Sequence, residues 1–150
     1  MNERIEPVPI GRPEPSTDLA LVEALEALSD DEKHLTEALY PLFFERRPDA
    51  RPLFGVHALA EREEMVRETL RSLFALAEGE PWLEGNLEAL GRSHFEYGVE
   101  SDMYADFVRA FVDVAPARLD ARARAALESG LARITDTMRR AGERAASRTP

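Results

Sequence analysis

The chain has 150 residues, a formal net charge of −10 and no cysteine. That length suits a single domain whose core needs no cross-links, and the lack of cysteine excludes disulfides and thiolate metal sites. The acidic balance argues against general binding to a nucleic-acid backbone, which requires a basic footprint. No apolar run is long enough to span a bilayer, and Met1-Asn2-Glu3-Arg4-Ile5-Glu6 lacks the basic-then-apolar order of a signal peptide. A soluble, cytoplasmic protein without membrane or nucleic-acid partners is expected. Among the 19 basic residues only Lys33 is a lysine.

Pro7, Pro9, Pro13 and Pro15 fall among charged residues, so 1–16 is expected to be an extended, mobile lead-in. Ser16-Thr17-Asp18 supplies capping residues, and Leu21, Leu25 and Leu28 follow at helical spacing, which predicts a helix over 17–28. Ser29-Asp30-Asp31-Glu32 resets the chain with a second cap and an acidic first turn. The next helix is predicted to reach about Arg46, with Leu35, Leu39, Leu42 and Phe43 inward, a bend at Pro41 and a stop at Pro48. In the apolar turn Pro52-Leu53-Phe54-Gly55 the phenyl ring must cover something. A third long helix over 58–77 turns Leu59, Val66, Leu70, Leu73 and Phe74 to the core, and Glu78-Gly79-Glu80-Pro81 breaks it.

After Trp82 and Leu83 comes a helix that places Leu87, Leu90 and His94 on one face. A histidine at the end of an apolar stripe is a poor core filler, because its ring carries a donor and an acceptor. If the helix stops near Phe95, with Gly98 in the turn, the Leu90 carbonyl one turn back can hold one ring nitrogen and leave the other for a metal. The alternative is a core histidine satisfied by a carbonyl or a water. Ser101-Asp102 caps a helix with Met103, Phe107, Phe111 and Val114 on its stripe, closed by Pro116. The last helix, roughly 119–141, carries Leu127, Leu131, Ile134 and Met138, and the polar tail 143–150 is expected to fray. No strand alternation, repeat or charge block appears, so the fold class is all-α, six or seven helices in a domain spanning 17–142.

Several landmarks combine. Tyr40 stands eight residues before Pro48 and Phe54 six after it, while His94 in Leu90-x-x-x-His94-x-x-Tyr97-Gly98-Val99 follows one long helix and one short one. In this the chain resembles the globin family, specifically bacterial single-domain globins and the haem domain of flavohaemoglobins, over roughly residues 17–141. The resemblance implies a globin-like fold around haem b (iron protoporphyrin IX), with His94 as the proximal iron ligand and Leu90 one turn before it. It further implies Phe54 stacked on the porphyrin, Val99 at its edge and Tyr40 facing a bound diatomic gas: O₂, NO or CO. Tyr104 matches the tyrosine that flavohaemoglobins pair with the proximal histidine, and Tyr40 and Tyr104 are the candidate catalytic residues.

Three places depart from the family pattern. The distal glutamine or histidine of the third helix is replaced by Glu61 or Arg62, and the next position facing the haem by Met65 or Val66, depending on a one-residue gap. A glutamate beside bound O₂ repels its partial negative charge, whereas an arginine can stabilise that charge or reach a haem propionate. Alternatively, both residues are simply solvated. Gly142 occupies the place of the glutamate that completes the proximal pair, with Glu143 one residue away. Leu127 and Leu131 replace a tryptophan and a tyrosine. His57 is a candidate sixth iron ligand or a plain loop histidine, and His34 is expected to face water. There is no Ser-His-Asp order, glycine-rich phosphate loop or di-metal motif.

The expectation is therefore a haem globin that reversibly binds a diatomic gas. Chemistry such as NO detoxification would need an external reductase, for which 150 residues leave no room. A homodimer is a further candidate assembly. The rivals are a globin-fold signalling module that has lost haem and acts on partner proteins, and an unrelated helical bundle.

Overall fold

A computed structural model describes residues 15–148, with side chains from residue 19 onward. The described residues form six α-helices and one 3-10 helix: α1 (Pro15–Ser29), α2 (Glu32–Arg46), the 3-10 helix (Pro48–Leu53), α3 (Ala58–Glu78), α4 (Leu83–Tyr97), α5 (Met103–Val114) and α6 (Ala121–Ser147). Most of the lead-in expected over 1–16 lies outside the described residues. α1 begins earlier than expected, with Pro15 in the first turn, where a missing N–H costs nothing. α2 continues through Pro41, whose ring is exposed.

The helix ends have local causes. Gly79 and Gly98, both with positive φ, terminate α3 and α4 in the left-handed conformation that a glycine adopts without a Cβ clash. Asp120 caps α6 by accepting the Ala123 N–H at 2.8 Å. α6 runs on to Ser147 instead of fraying from 143. Ala145 and Ala146 favour helix, and the Glu143 carboxylate is held by Arg139 (2.8 Å) and Ser101 (2.9 Å).

The apolar stripes converge as their spacing predicts. Leu21, Leu25 and Leu28 of α1 pack with Leu35 and Leu39 of α2, Leu70 and Leu73 of α3, and Leu127, Leu131 and Ile134 of α6 in one core. Each such leucine contributes roughly 1.5–3 kcal/mol through burial. Leu59 departs from its expected inward position and is 63 % exposed, because burial on α3 starts only at Val66. Leu42, Phe74 and Val114 are half-buried.

α1 crosses α3 and α6, α2 lies against α3 and α5, and α4 runs along α6 while barely touching α3. The α4–α6 approach is closer than side chains allow. A Cβ added to Gly91 would stand 2.2 Å from the Met138 carbonyl oxygen, and one added to Gly142 would stand 3.2 Å from the Gly91 oxygen. Gly91→Ala is therefore expected to force α4 off α6 and to cost about 3 kcal/mol, near the upper end for overpacking. Urea unfolding of this variant beside wild type checks it, and an unchanged midpoint would contradict the close seat.

Candidate functional site

Because α4 leans on α6 and away from α3, a cavity of about 880 Å³ opens between α3 and α4, floored by α5 and α6. This lies within the ~300–1,000 Å³ typical of cofactor and ligand sites. Its wall is mostly apolar: Phe43, Leu53, Phe54, Met65, Leu87, Leu90, Val99, Met103, Phe107, Ile134 and Met138.

His94 is on that wall, at the inner end of α4. Its Nδ1 lies 2.8 Å from the Leu90 carbonyl oxygen. A carbonyl only accepts, so Nδ1 carries the hydrogen and Nε2 keeps its lone pair. Burial lowers the pKa of the ring below the ordinary 6.5, only partly opposed by the Leu90 hydrogen bond, so the imidazole is neutral at pH 7. Tyr104 stacks on it with ring centroids 6.3 Å apart and planes 28° from parallel, and burial raises the Tyr104 hydroxyl to about 12. Val99 donates its N–H to the His94 carbonyl at 2.9 Å, which fixes the chain's exit from α4.

Phe54 is half-buried on the cavity wall just after the 3-10 helix, with its ring edge-on to Tyr40 (5.6 Å) and Phe44 (5.4 Å). Glu61 accepts the Gly55 N–H at 2.9 Å and so pins the loop that carries Phe54. Tyr40 is fully buried one ring layer behind the wall, against Phe54 and Phe107, and its hydroxyl has no hydrogen-bond partner. Burial raises its pKa far above the ordinary value, with Arg62 pulling weakly the other way. An unsatisfied buried hydroxyl costs roughly 1–3 kcal/mol.

The structure settles the register of α3. Glu61 and Met65 line the cavity, while Arg62 turns to the Tyr40 and Phe44 rings and Val66 is fully buried in the core. Glu64, Glu68, Thr69 and Ser72 share the Glu61–Met65 face and also reach the cavity. Sequence reading passed over them, although the i, i+3, i+4, i+7 spacing from Glu61 marks them once that residue is placed. His57 and His34 are exposed. Gly142 lies against α4 at the Gly91 seat, and Glu143 is held by Ser101 and Arg139.

Arg47 is a further residue that the sequence did not single out. Its guanidinium contacts Asp49 (2.8 Å), Asp102 (2.9 Å), Glu100 (3.4 Å) and Asp106 (3.4 Å). It thereby ties the segment leading to Leu53 and Phe54 to the one carrying Val99, Met103 and Tyr104. Both segments supply cavity wall.

No protein-family model matches the sequence, and no curated protein matches it. Among solved structures, a bacterial globin from Campylobacter jejuni superposes with a TM-score of 0.72, covering 89 % of this chain and 99 % of that one at 14 % sequence identity. The chain has the globin fold. Among the described residues no helix is long and apolar enough to cross a membrane.

The lowered pKa of His94 has a consequence for stability. The unfolded chain takes up its proton near pH 6.5 and the folded protein only at lower pH, so acidification favours unfolding. Without added ligand, stability conferred by this ring is complete above pH 6.5 and falls as pH drops below it. Urea midpoints at pH 7.5 and 5.0 should therefore separate more for wild type than for His94→Gln. Equal separations would mean that the ring is not desolvated.

Proposed function

We propose that the chain is a haem-binding globin that reversibly binds a diatomic gas, O₂, NO or CO. The observation that carries this reading is His94: a neutral imidazole with Nδ1 already bonded and Nε2 free, on the wall of a largely apolar cavity of about 880 Å³. Among the described residues no three His, Cys, Asp or Glu side chains converge on one point. A metal bound to His94 would take its remaining ligands from a group that the protein encloses, which is what a porphyrin provides. When bound, haem b supplies an iron held by one imidazole with a position left for the gas.

In this reading His94 takes the iron through Nε2, and the Leu90 carbonyl and the Tyr104 ring fix the plane of the imidazole. Phe54, Leu90, Met65 and Val99 enclose the porphyrin and exclude water. Tyr40 is the candidate donor for the gas, with its hydroxyl unpartnered and its ring against Phe54 and Phe107 of the cavity wall. Glu61 serves as the latch of the Phe54 loop, not as a ligand contact. Turnover such as NO detoxification would draw its electrons from an external reductase.

One observation favours the rival, a globin-fold interaction module without haem. α3 presents Glu61, Glu64 and Glu68 to the cavity, and carboxylates there repel haem propionates. All three have partners: Gly55 N–H for Glu61, Arg67 (2.6 Å) for Glu64, and Arg71 (3.0 Å) with Asn86 (3.2 Å) for Glu68. The repulsion is correspondingly weakened.

Titration of the purified protein with haemin decides between them. A Soret band that saturates at one haemin per chain, shifts with CO after reduction, and is lost or strongly weakened in His94→Ala is the expected result. No Soret band at any haemin ratio would leave the interaction module.

A further inference from the structure

α3 and α4 leave a common corner at 79–82, yet among the described residues a single hydrogen bond joins them: Asn86 Nδ2 donates to Glu68 Oε2 at 3.2 Å. A carboxylate only accepts, so the direction of this bond is set by the residue types. The same carboxylate takes Arg71 Nη1 at 3.0 Å, and the Arg71 guanidinium carbon lies 4.5 Å from the Trp82 ring centre. Two rungs therefore tie the helices next to the corner: Arg71 to Trp82 and, one turn on, Glu68 to Asn86.

The rungs define an antiparallel register. From one to the next, α3 steps back from 71 to 68 while α4 advances from 82 to 86, each about one helical turn. Carried two turns further, the register sets Met65 toward Leu90 and Glu61 toward His94. All four line the cavity, and among the described residues no polar or ring contact joins either pair. Glu68 and Asn86 line it too, so their bond is the last closed rung before the gap. An ion pair between exposed residues one turn apart, such as Arg71 with Glu68, contributes little and needs no third partner. Here the third partner stands on the helix across the cavity.

We propose that the Glu68–Asn86 bond is a clamp that holds α3 and α4 together at the edge of the cavity, and that its opening limits how fast a large occupant leaves. Glu68 and Asn86 are positioning residues, acting through the spacing of the two helices, with Arg71 steadying the carboxylate and Trp82 steadying Arg71. The identity of the occupant rests on the haem reading above, whereas the clamp does not.

Two measurements test it. In the haem-free protein, Asn86→Ala should speed amide hydrogen exchange over 83–90 about fivefold while leaving α1 unchanged. Glu68→Gln, which keeps an acceptor for Asn86, should stay within about twofold of wild type. In the haemin-loaded protein, transfer of haemin to excess apomyoglobin should be about fivefold faster in Asn86→Ala, and no faster still when Glu68→Ala is added. Because the chain has no cysteine, Glu68→Cys with Asn86→Cys offers one site for a short bis-thiosulfonate linker, and linking should slow transfer relative to the same variant unlinked. Equal transfer from wild type, Asn86→Ala and the linked protein, or faster exchange spread evenly over every helix, would overturn the clamp. Absence of any Soret band in the wild type would overturn the haem reading alone, and the exchange measurement would then decide the clamp by itself.

Discussion

The backbone contact between Gly91 of α4 and Met138 of α6 is the constraint on which the site depends. With no Cβ at 91, α4 settles against α6 at backbone distance and takes its lateral support there instead of from α3. The opposite side of α4 is thereby left without a helix to cover it. Leu87, Leu90 and His94 therefore line a cavity and not a closed seam. Three residues separate Gly91 from His94, under one helical turn, so the contact that opens the cavity also fixes how far the imidazole projects into it.

A cavity this large works against stability, since its lining forfeits contacts that a closed core would make. The surrounding structure offsets that loss on both sides. Tyr40, Phe43, Phe44, Phe54, Phe107 and Phe111 form a continuous chain of tilted and edge-on ring contacts beside it. Arg47 ties the 3-10 segment to the α4–α5 connection with four carboxylates, none near it in sequence except Asp49. The walls are thus held by contacts outside the cavity, which leaves the lining free for a ligand. A ligand that fills the cavity of the folded state and not the unfolded chain adds stability in proportion to the logarithm of its concentration over its dissociation constant.

What the sequence made legible was what depends on local periodicity and local chemistry. The six long helices, the stops at Gly79 and Gly98, the inward stripes of α1 and α6 and the Leu90 grip on His94 all follow from spacing within one helix. Leu59 was misplaced because its stripe continues past the point where α3 meets other helices, and periodicity carries no information on where a neighbour begins. α6 outran its predicted end because polar residues such as Glu143 read as a tail, whereas their partners Ser101 and Arg139 hold them in helix. The role of Gly91 was illegible, since a glycine inside a helix looks like a defect until the opposing backbone is placed. The four partners of Arg47 were hidden for the same reason.

The choice between Glu61 and Arg62, open in the sequence, resolves into a division of labour. Successive helical residues point about 100° apart, so one faces the cavity and the other the α2 rings. Negative charge from Glu61, Glu64 and Glu68 consequently lies along the α3 side of the cavity, while Arg62, the one arginine without a carboxylate partner on this helix, lies on the neighbouring face against Tyr40 and Phe44. A single-residue slip of register on α3 would exchange them, which is why the register of this helix, more than its amino-acid content, determines the chemistry that the cavity can support.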